Sequence, residues 1–463
     1  MRFPLILLLP LLISCSVPTP LIERVKMAGE MVVATRESPT TYYKEGEGIK
    51  GLESELVELF AAELDVRVRY VTANTFDEIQ SLLHQGKAHF AAAGLSITDK
   101  RKLQVRFTSP YQEITQQLVY RAGNRRPKKI TDTERGLLEV AAGSHHAEYL
   151  QQLKLQHPEL EWSEPTDETS EDLLFLVKEG LIDYTVADSN QVSLSHRFHS
   201  ELLVALDLSK PQSLAWAFPH AEDNSLYNAA TVFMEKLSKG GSLKEIIERY
   251  YGYVGRLGFV DKRDFQRHFA QRLPLLLPLF KQAAEEVNLD WQLLAAIGYQ
   301  ESHWRPDAVS PTGVKGVMML TKAAATQLKI EDRTDPAQSI LGGARYLHLM
   351  DSKVPKRIEP PDRLWMALAG YNVGFGHLED ARVLTQRAGA NPDKWVDVKQ
   401  YLPLLSRKKY YTTVRHGKAR GGEPVHYVAN IRSYYDLLVW HNQNQAPVKK
   451  EPPNALSILP GAL

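Results

Sequence analysis

From residue 30 onward the chain alternates between two hydrophobic rhythms. Short runs rich in β-branched residues, "EMVVATR" (30–36) and "VRVRYVTA" (66–73), read as strands. "LESELVELFAAEL" (52–64) and "TFDEIQSLLHQG" (75–86) space their apolar residues as amphipathic helices do, and the second closes on Gly86 as a C-terminal cap. "LEVAAGSHHAEYLQQL" (138–153) repeats strand, glycine turn and helix, and "LIDYTVADSNQVSL" (181–194) gives a strand ending in Asp188. Strands alternating with helices predict an α/β sheet with ligands at the strand ends.

After about residue 265 the strand rhythm stops. "PLLLPLFKQAAEEVNLDWQLLAAIGYQES" (274–302) predicts two helices parted at "NLD", the second running from about Asp290 to Glu301. On it Leu294, Ile297 and Glu301 are three and four residues apart and so share one face. A carboxylate on an apolar stripe is partly desolvated, which raises its pKa. Holding a Glu protonated near neutral pH costs roughly 3 kcal/mol, a cost suited to a general acid. The alternative is a helix-terminal Glu turned to water.

Three later stretches favour the acid. "SPTGVKG" (310–316) places Ser310, Gly313 and Gly316 just after it, where glycines let backbone approach a ligand. "ALAGYNVGFGHLEDA" (367–381) carries Tyr371 and Asn372 into a tight glycine loop, and "GEPVHYVANIRSYYDLL" (422–438) puts Tyr427 at the start of another helix. Rings, amides and glycines around one buried acid suit a sugar-binding cleft.

Composition narrows the setting. At 463 residues the chain is long enough for two or three compact units. Lys plus Arg number 56 against 55 acids, so no bulk field favours nucleic acid. "MRFPLILLLPLLISCS" reads as a secretory signal, residues 1–15, ending at Cys15, the only cysteine, which is therefore a lipid-anchor candidate rather than half of a disulfide. Beyond it no run of about 18 apolar residues occurs. The Pro-rich tail, 446–463, is expected to be disordered. The 15 His are scattered, "SHHAE" (144–148) lacks further ligands and no HEXXH is present, so neither metal nor cofactor is expected.

The order of segments from "GLESELVELFAAEL" through "LSITDKRKLQVRFTSPY" and "GLIDYTVAD" to "LYNAATVFMEKLSKGGSLKEIIERYYG" resembles the type 2 periplasmic solute-binding proteins for amino acids. The resemblance implies a bilobed α/β domain, residues 25–255. In it Arg101 would clamp a ligand carboxylate and Asp188 would hold the amine, chemistry that selects a zwitterion. Read locally, Arg101 is also compatible with a solvated helix start and Asp188 with a helix N-cap. Tyr42 and Tyr43 are candidates for the ligand-stacking aromatic.

The "ES", "SPTGVKGVM", "GYNVGFG" and "YV" stretches, in that order, resemble the family 1 lytic transglycosylases of the goose-lysozyme-like superfamily, in its Slt-type branch. That resemblance implies a mostly α lysozyme-like domain, residues 265–445, with Glu301 as acid/base. Ser310 and Met318 would line the cleft, and Tyr371, Asn372 and Tyr427 would fall on the family's substrate-binding positions. Two departures stand out: Met319 where the family has Gln, and Gly370 where it has Ala.

The implied reaction cleaves the β-1,4 bond between N-acetylmuramic acid and N-acetylglucosamine in peptidoglycan without water, leaving 1,6-anhydromuramyl ends. Ordinary retaining glycosidases need two carboxylates, and the nearest further acids, Asp307 and Glu331, have no clear role. Two alternatives remain at this stage: a hydrolytic muramidase, and a binding protein with an inert appendage. Expected partners are glycan strands, an amino acid or muropeptide in the first domain, and the outer membrane through the lipid anchor, facing the periplasm.

Overall fold

The computed structural model describes residues 18–45, 48–199, 201–252, 259–310 and 313–445. The signal with Cys15 and the tail 446–463 lie outside the described residues. No helix among those described is long and apolar enough to cross a membrane. The chain divides into two compact units.

The first unit comprises residues up to Ile114 with Gly143–His145 and Pro211–Leu243. Its five-stranded sheet has the order Arg67–Thr72, Glu30–Thr35, Phe90–Ala91, Ala217–Pro219, Val105–Phe107. Glu30–Thr35 is parallel to both neighbours, whereas Ala217–Pro219 is antiparallel. The helix Leu52–Leu64 lays Leu56, Val57 and Phe60 into the core, where Phe60, Phe90, Trp216 and Phe233 pack ring against ring. The helix Phe76–His84 begins at Thr75, whose hydroxyl accepts the Glu78 N–H, and ends before Gly86 at φ 65°, as its sequence predicts.

The second unit comprises Thr115–Ala142, His146–Lys210 and the chain from Lys244. It opens with a four-stranded sheet ordered Leu202–Asp207, Gln116–Arg121, Tyr184–Asp188, Leu138–Glu139. Alternate side chains of the central strand serve opposite faces: Leu118 packs with Val140 and Leu150, Val119 with Leu173 and Val177. Asp188 ends its strand as predicted, and is also the N-cap of the helix Ser189–Phe198.

The rest of this unit is helical and surrounds one large apolar core. Asn288 at φ 52° ends the helix Leu273–Val287, and Asp290 starts the next by accepting the Gln292 N–H at 2.8 Å. The helix Trp291–Ser302 hides Leu294 and Ile297 completely and brings Glu301 to the core's edge on the same stripe. Four more helices matter for the site: Pro336–Lys353, Asp362–Val373, Phe375–Arg387 and Gly422–Gln445. Tyr371 and Asn372 fall in helix rather than loop: the break after them is the single residue Gly374, at φ 88°, and helix resumes at Phe375.

Candidate active site

Glu301 is the penultimate residue of its helix. His303 and Trp304 follow in left-handed conformation (φ 52° and 57°), reversing the chain at once. Trp304 is buried and donates its indole N–H to the Ala295 carbonyl at 2.7 Å, which folds the reversal back onto the helix. Ser302 links this end to the following loop: its hydroxyl donates to Val317 O (2.8 Å) and accepts the Arg305 N–H (3.0 Å).

That loop is shaped by bridges Val309 to Lys315 and Lys315 to Leu320, with Gly313 and Gly316 at φ 82° and 83°. Ser310 accepts the Val314 N–H on its hydroxyl at 3.2 Å and so shapes the turn. The Arg333 guanidinium donates to the carbonyls of Gly313 (3.0 Å) and Leu320 (2.9 Å), and buried Ser339 accepts the Met318 N–H at 3.2 Å. A Cβ on Gly316 would lie 1.7 Å from the Arg333 carbonyl oxygen. Replacing Gly316 with Ala combines that clash with a left-handed φ and is expected to cost roughly 2–4 kcal/mol, read as a lowered urea midpoint with a fall in kcat.

Met318 departs from its expected place on the cleft wall. Its side chain is fully buried, with Sδ 3.3 Å from where a Gly298 Cβ would be and Cε 2.6 Å from that of Gly343. It fills the space under the acid's helix because two glycines leave room for it, and its carbonyl accepts the Tyr371 hydroxyl at 3.1 Å.

Tyr427, in the second turn of the helix Gly422–Gln445, donates to Glu301 Oε1 at 2.5 Å. Its ring stacks on Tyr371 at 6.2 Å, and Tyr371 meets Tyr346 edge-on at 5.0 Å. Burial pushes the Glu301 carboxyl up to about 7, against the opposing effect of the Tyr427 hydrogen bond. Both tyrosines are held well above the usual phenol range, first by burial and then by the charge of Glu301. Asn372 is exposed, as are Asp307 and Glu331, and the influences on the Glu301 carboxyl are its burial and Tyr427, with no second carboxylate among them. Tyr346, Arg333 and Ser339 are parts of the site that the motifs do not name, and Ser302 stands in the "ES" stretch without a role assigned to it. Tyr346 and Ser339 fall within one helix that also holds Gly342 and Gly343, and nothing local in the sequence singles out Arg333.

The amino-acid-site candidates lie in separate units. In the first, Arg101 is buried while Lys100 and Lys102 on either side are exposed, and its guanidinium lies 4.5 Å above the Phe76 ring. The turn before it is held by buried Glu53, which accepts the Gly94 N–H at 2.6 Å and which burial pushes up to about 7. Tyr42 packs on Tyr70 at 4.6 Å, and Tyr43 starts a short strand. In the second unit, Asp188 Oδ1 is 3.0 Å from His146 Nε2, both side chains buried.

Residues 31–253 match the bacterial extracellular solute-binding proteins, family 3, and residues 278–393 match the transglycosylase SLT domain. The chain thus joins a solute-binding-type α/β domain to a helical transglycosylase domain. A membrane-bound lytic murein transglycosylase F 1 from Alkalilimnicola ehrlichii is 48% identical over 91% of this chain and 85% of its own. One from Pseudomonas fluorescens is 47% identical over 92% and 87%, and one from Stutzerimonas stutzeri 46% identical over 93% and 89%. The chain belongs to the membrane-bound lytic murein transglycosylase F family, and is a peptidoglycan lytic transglycosylase with a solute-binding-protein-like N-terminal domain. Among solved structures, an ancestral arginine-binding protein bound to arginine is 24% identical over 48% of this chain and 98% of its own, with a TM-score of 0.43.

Proposed function

We propose that Glu301 alone carries the chemistry, first as acid and then as base. The observation that supports this is one carboxylate poised near neutrality, bonded to Tyr427 and surrounded by tyrosines rather than a second acid. Protonated Glu301 gives its proton to the glycosidic oxygen between N-acetylmuramic acid and N-acetylglucosamine as the bond breaks. The muramyl N-acetyl group assists at the anomeric carbon. The Glu301 carboxylate then removes the proton of the muramyl C6 hydroxyl, whose oxygen closes the 1,6-anhydro ring. The acid is regenerated and water is not consumed.

Ser310, Tyr371, Asn372 and Tyr427 form the substrate-facing surroundings, with Met318 beneath. The deciding experiment is mass spectrometry of soluble products from purified sacculi. Anhydromuramyl ends support the reading, whereas reducing muramic acid ends would make the protein a hydrolase.

The N-terminal domain, residues 25–255, binds a zwitterion, an amino acid or a wall-derived peptide, with Arg101 on the carboxylate and Asp188 toward the amine, and regulates the catalytic domain, residues 265–445. Replacing Arg101 with Ala is expected to weaken binding by at least tenfold, measured by calorimetry with an amino-acid panel. Saturating ligand that left turnover unchanged would end the regulatory reading. Cys15 carries the lipid that holds the protein to the outer membrane on its periplasmic side.

A further inference from the structure

The described surface carries one strongly charged feature that the acid, its tyrosines and the N-terminal domain leave unused. Between Asp397 and Glu423 the chain has no acidic residue. In the same interval Arg407, Lys408, Lys409, Arg415, Lys418 and Arg420 are all exposed. In a chain with 56 basic and 55 acidic residues overall, this is a strong local departure.

Elsewhere in the domain several cations are matched: Arg357 and Arg382 share Asp393, and Arg363 holds Asp351. Of the six strip residues, Arg420 alone has an ion-pair partner among the described residues, Glu423 at 3.3 Å, itself exposed. The other five have no ion-pair partner among the described residues, and Lys409 lies over the Tyr410 ring at 5.6 Å.

The strip is anchored to the supports of the active site. The N–H groups of Arg415 and His416 donate to the carboxylate of Asp380 at 3.2 and 2.9 Å. Asp380 lies on the helix that starts directly after Gly374, beyond Tyr371 and Asn372. The His416 ring packs so closely on Gly376 that a Cβ there would be 2.7 Å away. At its other end the strip runs through Arg420 into the helix of Tyr427. From Gly422 to Tyr427 is five residues, about 7.5 Å along the helix axis, so the strip's end lies within roughly 10–15 Å of Glu301.

Murein carries its negative charge on short peptides that hang from the lactyl groups of its muramic acids and bear free carboxylates. An extended peptide advances about 3.3 Å per residue, so a stem of three or four residues spans the distance from a sugar at Glu301 to the Arg420 end of the strip, and the cations before it continue the positive surface. We propose that the strip Arg407–Arg420 is a subsite for the carboxylates of the peptide stems on the strand being cleaved. This rests on the murein reading of the active site.

An anionic lipid surface is the other polyanion to consider. The strip lacks the apolar residues that interfacial binding needs: no large hydrophobic residue is strongly exposed between 400 and 422. The strip is therefore a recognition surface that makes the enzyme sensitive to whether a strand still carries peptides.

The test uses the full protein in two variants, Arg407→Gln/Lys408→Gln/Lys409→Gln and Arg415→Gln/Lys418→Gln, on peptide-bearing strands and on strands stripped of peptides by an amidase. Exposed ion pairs are individually weak, so the expected result is a KM raised roughly five- to tenfold on peptide-bearing strands. The change in kcat should be less than twofold, with no change on stripped strands and KM restored by Lys at the arginine positions. Equal KM on both substrates for wild type and variants would overturn the proposal. So would variants that lost phosphatidylglycerol-vesicle binding while their KM stayed put, which would reassign the strip to the membrane.

Co-sedimentation of Glu301→Gln protein with peptide-bearing and stripped sacculi, with and without the strip substitutions, reads the subsite without turnover. If wild type yields no product from either substrate, the reaction reading fails, and a strip-dependent preference for peptide-bearing sacculi still upholds the subsite. No such preference overturns it.

Discussion

Glu301→Gln protein releases no detectable anhydromuramyl product from sacculi, yet melts at a higher temperature than wild type at pH 8. The loss of activity follows from removing the proton donor, an effect of about 10²–10⁴ in rate for a general acid, and larger when the same group must also act as base. The gain in stability follows from burial. The folded-state pKa of Glu301, about 7, is raised above the usual 4.5, so folding takes up a proton between those values. Its stabilising contribution is complete below about 4.5 and is lost as pH rises through 7, leaving the charged form costing up to about 3 kcal/mol at pH 8. Gln carries no charge to desolvate. Thermal melts at pH 4 and pH 8 check this: the two proteins coincide at pH 4 and separate at pH 8. A variant less stable than wild type at both values would mean that the carboxylate is structurally required.

Tyr427→Phe gives the second large effect. The hydroxyl donates at 2.5 Å to Glu301 and favours its charged form. Removing it raises the Glu301 pKa further, so the descending limb of the pH–rate profile moves upward by about one pH unit. The Phe ring keeps the stack on Tyr371, but the carboxyl loses its hydrogen bond to the tyrosine hydroxyl, and kcat is expected to fall roughly 10- to 100-fold with KM little changed. A limb that stayed in place would show that the hydroxyl does not set the acid's protonation.

These residues were legible for different reasons. Glu301 showed itself by apolar spacing, because a helix face is a local property, and Tyr427 by its motif. The partners that fix the loop were not legible. Arg333 reaches Gly313 and Leu320, and Ser339 reaches Met318, across 13 to 21 positions, and no periodicity records such pairings. Met318 was misplaced because a motif names a residue without its direction, and the direction was set by the space above Gly343 and below Gly298.

In the first domain the alternating strands and helices were plain, but the late strand Ala217–Pro219 entering between Phe90–Ala91 and Val105–Phe107 depends on non-local pairing. Arg101 stood in a run of bases, where the resemblance singled it out but nothing local did, and the fold buries it alone among them.

The methionine held between two glycines has an evolutionary consequence. The acid's helix rests on Phe280 and Met318, which lie 2.9 and 3.3 Å from where a Gly298 Cβ would be, and Met318 presses in turn on Gly343. A larger residue at Gly298 meets Phe280 and Met318, one at Gly343 meets Met318, and a smaller residue at 318 leaves a void. Lineages descending from this sequence would therefore change the four positions 280, 298, 318 and 343 as a set, so that the acid's depth shifts in discrete packing steps while the catalytic chemistry is unaltered.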